Sequence, residues 1–266
     1  MRNGIKRNVL GILIDDVDYE SAANVVFHAA REGHAATVSA MAVHGVMTGV
    51  LDSEHKFRLN HFDLLVPDGQ PVRWALNLLH KAKIRARVYG PTLMLRICAR
   101  AAADGVPVYL YGSTAATLAA LNQNLMRTFP QLLIAGAEPS KFRRLATEEK
   151  LEIAGRMQRS GARIVFVGLG CPRQEAFAFE FRDLLNLPII AVGAAFPFLA
   201  GLLPQAPHWM QEAGLEWLFR LVCEPRRLWR RYILLNPAYL LLLLLQALSV
   251  RFPTAGRSPS QELLNG

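Results

Sequence analysis

Cysteine is scarce in this sequence. There are three among 266 residues, Cys98, Cys171 and Cys223, and no CxxC pair. Neither a disulfide framework nor a cysteine-based zinc site is indicated, and a reducing compartment fits. His44, His55, His61 and His208 show no HxxxH or HxH spacing, so the spacing gives a metal site no support. There is no GK[ST] phosphate loop and no GxSxG elbow, which removes the common NTPase and serine-hydrolase signatures. No internal repeat or low-complexity tract appears. No apolar run approaches the ~20 residues of a spanning helix; the conspicuous one, Ala238–Leu245, is preceded by Asn236 and Pro237. The N-terminal stretch MRNGIKRNVLGILIDDVDYE starts basic, but its apolar part is too short for a signal peptide and reads as a first strand.

What is present is apolar and basic. A hydrophobic fraction of 52% excludes disorder as the main state and supplies a sizeable core. A formal net charge of +9 calls for an anionic partner: nucleic acid, a phosphorylated small molecule or an anionic membrane surface.

Short β-rich runs at Val9–Ile14, Ala36–Ala40, Leu64–Val66, Val106–Tyr111, Leu132–Ala137, Ile164–Val167 and Ile189–Val192 alternate with stretches of helical period. The helical stretches are Ser21–Glu32, Gln70–His80, Leu93–Asp104, Ala115–Phe129, Glu148–Arg159 and Gln174–Leu185. Apolar strands separated by helices predict an α/β fold, a Rossmann-like doubly wound parallel sheet covered on both faces. After about residue 203 the strand pattern stops. Residues 1–203 are expected to form the catalytic core and residues 204–251 an Arg/Trp/Leu-rich helical appendage, cut into short helices by Pro225 and Pro237. Residues 252–266 read as a loose, disordered tail. In the appendage Trp217, Trp229 and Tyr232 sit among Arg220, Arg226, Arg227, Arg230 and Arg231, beside a leucine run. That composition suits a peripheral, interfacial helix on an anionic membrane better than a nucleic-acid duplex, and no nucleic-acid partner is expected.

Ligands of open α/β sheets bind beyond the carboxyl ends of the strands. There the stretch VFVGLGCPRQE forms a Gly-rich turn before a helix, in which Gly168 and Gly170 let backbone approach a phosphate. A dinucleotide fingerprint would need a third glycine where Arg173 stands, which counts against a nucleotide-dependent oxidoreductase. Pro67-Asp68-Gly69 leaves one carboxylate at a strand end. On position alone Asp68 is either a helix cap or a general base. Asp16-Val17-Asp18 has the form of a metal-binding DxD but sits where acidic capping of a helix is expected.

Four segments occur in one order: VPDG around Asp68, VGLGCPRQE at Val167–Glu175, VGAAFPFLAG at Val192–Gly201, and Ala206–Pro237. Together they resemble the WecG/TagA/CpsF family of glycosyltransferases (glycosyltransferase family 26). The resemblance implies an inverting, metal-independent and cofactor-free transfer from a UDP-sugar donor to an undecaprenyl-diphosphate-linked sugar (a polyprenyl-diphosphate-linked acceptor). It also implies a place at the cytoplasmic face of the bacterial inner membrane, held peripherally, with other polysaccharide assembly enzymes as candidate partners. Under it Asp68 is the catalytic aspartate and Gln174 the glutamine of the catalytic motif. Arg220, Arg226, Arg227, Arg230 and Arg231 contain the diphosphate ligands. Ser39, Met41, Gly112, Gly168, Gly170, Pro172, Arg173, Glu175, Gly193 and Phe196 form the substrate-binding set. Two positions depart from the family pattern: Met41 stands for an asparagine, and Pro197 where an aspartate is common. Loss of a polar contact at Met41 leans toward a hexose, glucose above all, and toward the xanthan-type β-1,4-glucosyltransferases of exopolysaccharide assembly. An N-acetylmannosaminyl-type transferase and a non-catalytic membrane scaffold are the alternatives.

Overall fold

The structure, a computed structural model, describes residues 4–266. Residues 1–3, which open the stretch read above as leading into a first strand, lie outside the described residues. The chain starts with an antiparallel hairpin, β1 (Lys6–Val9) and β2 (Ile12–Asp15). It continues through α1 (Tyr19–Glu32), β3 (Ala36–Met41), α2 (Val43–Leu51), α3 (Ser53–Asn60), β4 (Leu64–Pro67), α4 (Gln70–His80) and α5 (Gly90–Asp104). Next come β5 (Val108–Gly112), α6 (Ala115–Thr128), β6 (Ile134–Glu138), α7 (Thr147–Arg159), β7 (Ile164–Gly168), α8 (Arg173–Leu185), β8 (Pro188–Ala191) and α9 (Ala195–Leu199). The appendage is α10 (His208–Glu212), α11 (Glu216–Cys223) and α12 (Pro225–Ala247).

Six strands form one parallel sheet in the order β4-β3-β8-β7-β5-β6, the Rossmann-like α/β layer predicted. Both faces are buried, and the alternation along single strands shows it. Val165 and Val167 of β7 enter one core with Phe177 and Phe181 of α8, while Ile164 and Phe166 enter the other with α1, α5 and α6.

Three features differ from the sequence reading. The run Val9–Ile14 is a hairpin rather than one strand, because Leu10 (φ 55°) and Gly11 (φ 88°) make a two-residue turn with both residues left-handed. Leu10 is fully buried, which offsets a conformation that leucine rarely adopts. The helices α2 and α3 had no expected counterpart; in α2, Gly45 and Gly49 weaken the helical signal. Gly49 is small for a reason: a Cβ there would lie 2.6 Å from Ile12 Cδ1 and 2.8 Å from Leu59 Cδ1. Finally, α12 runs 23 residues straight through Pro237. The hydrogen bond that Pro237 cannot donate is offset by burial of Leu228, Tyr232, Tyr239 and Leu243 on the core-facing side.

The last residues also depart from the expected loose tail. Asn8 Nδ2 donates to Phe252 O (2.8 Å), Asn60 Nδ2 to Thr254 O (2.7 Å) and Arg257 N to Ser53 O (3.1 Å), so the segment lies along the core.

The sheet's carboxyl edge depends on close backbone approach. Gly112 (φ +111°) ends β5 beside Gly168, and a Cβ on Gly112 would lie 2.9 Å from the Gly168 carbonyl. Gly112→Ala is therefore expected to lower stability by about 1–3 kcal/mol through overpacking and strain. Denaturant unfolding at matched conditions measures it, and a wild-type midpoint for the variant would contradict the crowding.

Candidate active site

A cleft of about 600 Å³ opens at the carboxyl ends of the strands. Its floor is made by Ala40, Asp68, Gly168, Gly170 and Gly193, and its roof by Glu216, Arg220, Arg227 and Arg231 of the appendage. A smaller annex of about 90 Å³ shares His44, Asp68, Glu216, Arg220 and Arg231 and adds Arg87, Trp217 and Tyr232.

Asp68 follows β4 directly. Gly69, not Asp68, is the N-cap of α4. The carboxylate accepts instead from the Gly90 N–H, 2.9 Å from Oδ1, at the first residue of α5. Burial pushes its pKa up to about 6; Glu216 adds to the rise, while Arg87, the Gly90 N–H and Arg220 oppose it. Arg87 stands beside it, donating to Asp68 O (3.3 Å), Gln211 Oε1 (3.1 Å) and Glu216 Oε2 (2.6 Å), with its guanidinium 4.3 Å over the Tyr89 ring. His44 faces the same space. Its pKa is pushed down to about 4 by burial first and by Arg231 and Arg220 after, so the ring is neutral near pH 7 and Nδ1 has no partner.

Gln174 is buried and fully engaged. Its Oε1 accepts from Gly170 N (3.2 Å) and its Nε2 donates to Glu175 Oε1 (2.9 Å), which also accepts from Ser39 Oγ (2.9 Å). The left-handed Gly170 (φ +78°) and Gly193 (φ +51°) bring main chain to the cleft beside it. The roof is unbalanced in charge. Arg227 pairs with Glu224 at 2.6 Å. By contrast, Arg220 and Arg231 make no ion pair among the described residues, and the Nε of each is buried without a partner. Burial lowers the Arg231 pKa, with Arg220 adding. Two half-buried guanidinium groups with unpartnered Nε atoms and no counter-ion among the described residues are suited to an anion.

Of the expected site residues, Asp68, Gln174, Gly168, Gly170, Arg173, Glu175, Gly193, Arg220, Arg227 and Arg231 line the cleft. Seven do not. Met41 is wholly buried with its side chain against Gly45. Ser39 is buried and acts through Glu175. Phe196 and Gly112 crowd Gly168 from beneath. Pro172 caps α8. Arg226 and Arg230 are on the exposed side of α12, where Arg230 lies over Trp229. The sequence reading missed Arg87, Tyr89, Glu216 and Phe142, which belong to irregular segments or unremarkable helix positions. They converge only in the fold.

Asp16 and Asp18 serve structure. Asp16 accepts from Ile5 N and Arg7, and Asp18 caps α1 by accepting from Ser21 N at 2.8 Å. The donors that do come together, within 4.8 Å, are His55, Cys171 and Glu175. These supply one nitrogen, one sulfur and one oxygen, a set zinc accepts; the group adjoins Gln174 through Glu175 and excludes Asp68.

A family description, "Glycosyl transferase WecG/TagA/CpsF family", matches residues 7–252. The chain belongs to this glycosyltransferase family. The transferase thus has its cleft inside the matched region, and residues 253–266 lie beyond it.

The raised Asp68 pKa has a sign to test. The folded state holds the proton to higher pH than the unfolded chain, so this group's contribution to stability falls as pH rises from about 4 to about 6. Asp68→Asn should therefore be more stable than the wild type at pH 7.5, by up to about 3 kcal/mol, and no more stable below pH 4. Thermal melts of both proteins across that range decide it. A stability difference independent of pH would place the carboxyl at its ordinary value.

Proposed function

We propose that this glycosyltransferase moves a hexose, glucose in our reading, from a UDP-sugar to an undecaprenyl-diphosphate-linked sugar with inversion, during exopolysaccharide repeat-unit assembly at the cytoplasmic face of the membrane. The observation that carries it is one cleft holding a carboxylate poised near neutrality and two half-buried arginines that no carboxylate pairs. Asp68 takes the proton from the acceptor hydroxyl as that oxygen attacks the anomeric carbon. The bond to the diphosphate oxygen breaks on the opposite face, and the charge that develops on UDP meets Arg220 and Arg231. Gln174, held by Gly170 and Glu175, fixes the loop against which the donor sits. Met41 is buried away from the cleft, so the donor sugar is decided by the screen below and not by that position.

The appendage supplies the membrane contact in this reading. By length and composition α12 is the one helix among the described residues long and apolar enough to cross a bilayer. Its buried side belongs to the core, which suits lying on a surface instead. Ile233, Leu234, Leu240, Leu241, Leu244 and Leu248 form an exposed apolar stripe on the other side.

A screen of UDP-sugars against a synthetic lipid-diphosphate glucose tests the donor and acceptor. In it Asp68→Asn should bind donor normally yet turn over roughly 10²–10⁴-fold more slowly, the usual worth of general-base catalysis. Turnover by the wild type should persist in EDTA. A requirement for added metal would overturn metal independence and turn attention to His55, Cys171 and Glu175 rather than Asp16 and Asp18.

Leu240→Gln, Leu241→Gln and Leu244→Gln combined should abolish sedimentation with anionic vesicles while leaving the rate on a detergent-soluble acceptor unchanged. Unchanged sedimentation would remove this stripe from the membrane contact.

A further inference from the structure

Residues 253–266 lie outside the family match, yet their last part makes several long-range bonds beside a loop that reaches the cleft. Leu145 N donates to Leu264 O (2.7 Å), and Arg144 and Asn265 form an antiparallel bridge. Arg144 Nε donates to Leu263 O (3.2 Å) and Lys150 Nζ meets Glu262 Oε1 (2.5 Å). From the other side both oxygens of Glu180, on α8, accept the N–H groups of Leu263 (2.7 Å) and Leu264 (3.0 Å). The segment is gripped from two helices and a loop at once.

What it grips is the loop after β6, residues 139–146. Ser140 Oγ, buried, donates to Gly266 O (2.6 Å) and accepts from Phe142 N (3.0 Å). Phe142 is held at φ 53° and is 56% exposed, and it lines the cleft with Ser113. An aromatic side chain kept in the left-handed region at a cleft mouth needs an external hold. Ser140 and the tail provide it; Ser140 N adds a bond to Ser113 O (3.0 Å).

Strand order says which substrate this concerns. Asp68 follows β4 at one edge of the sheet, next to the annex roofed by α11 and α12. Ser113 and Phe142 follow β5 and β6 at the opposite edge. With the acceptor arriving from the appendage side at Asp68, the far end is left to the nucleotide part of the donor.

We propose that residues 262–266 are a clasp that positions the 139–146 loop, and through it the donor-nucleotide end of the cleft. Phe142 is the residue at the ligand; Ser140 and the tail are positioning residues. The proposal rests on the donor reading above.

Two measurements separate its failure from the failure of that reading. Hydrogen exchange of the full chain and of a variant lacking residues 262–266 needs no substrate. The amides of Phe142 and Leu145 should exchange faster in the shortened chain, while those of β7 and β8 should not change. Donor kinetics are then read on Ser140→Ala, which leaves the tail in place should the deletion variant fail to fold. Ser140→Ala should raise the donor KM about tenfold, the worth of one or two hydrogen bonds, with kcat and the acceptor KM within about twofold. Ser140→Thr, which keeps the hydroxyl, should restore the donor KM. Unchanged exchange at residues 139–146 would overturn the clasp. Faster exchange with an unchanged donor KM in Ser140→Ala would reduce it to a structural support and overturn the positioning role. A wild-type protein that transfers from no UDP-sugar but shows the exchange difference would indict the donor reading alone.

Discussion

Arg87 joins the two parts of this molecule at the point where the chemistry is proposed to occur. Its guanidinium reaches Glu216 of α11 at 2.6 Å and Gln211 of α10 at 3.1 Å, and holds the Asp68 main chain at 3.3 Å. Both members of the Arg87–Glu216 pair are largely buried. Breaking such a pair leaves a buried charge unmatched and costs far more than making it contributes. The appendage is therefore fastened to the core through the same residue that tempers the Asp68 carboxyl. Glu216 pushes that carboxyl up and Arg87 pulls it down, so a displacement of α11 changes the poise of Asp68 as well as the shape of the roof.

The charge pattern around this joint explains why the cleft suits an anionic ligand. Arg87 is satisfied by carboxylate and carbonyl oxygens, whereas Arg220 and Arg231 are not satisfied by any carboxylate among the described residues. Holding two half-buried guanidinium groups with unpartnered Nε atoms is costly. It persists here because the fold carries it on a helix pair whose other side is anchored, Tyr239 Oη donating to Pro71 O at 3.2 Å and Gln246 Oε1 accepting from Leu10 N at 2.8 Å. A diphosphate entering the roof removes that cost, and the free energy so gained goes into binding.

The parallel sheet was legible in the sequence because its strands are short, apolar and evenly spaced, and two-sided burial writes that pattern directly. Asp68 and the glycines of the Gly168–Gly170 turn were legible for the same reason, as residues at strand ends, whereas Gln174 was legible only through the resemblance. What escaped was tertiary. Arg87 and Glu216 are 129 positions apart, and no periodicity links them. His55, Cys171 and Glu175 meet without any ligand spacing in the chain. Met41 entered the expected site through the resemblance, as the replacement of an asparagine, but its place in the alternation along β3 turns it into the core. The tail looked loose because its polar composition is that of a terminus, whereas its hydrogen bonds go through main-chain groups that composition does not reveal.

The same distinction applies to α12. Its leucines read from sequence as a single apolar block, with Pro237 as a break. In the fold the block divides by face: Tyr239 and Leu243 are buried, and Leu240, Leu241 and Leu244 are exposed. A proline inside a helix is tolerated when packing on one side outweighs one missing hydrogen bond. That one-sided packing also limits how the helix can meet a bilayer. A spanning helix would have to bring the core-facing side into lipid, withdrawing Tyr239 from Pro71 and Gln246 from the hairpin turn. Lying on the surface requires neither. It also keeps Arg220 and Arg231 over the cleft, and under the proposed function the exposed stripe then reaches the acyl boundary while a lipid-held acceptor meets Asp68 at the edge of the membrane.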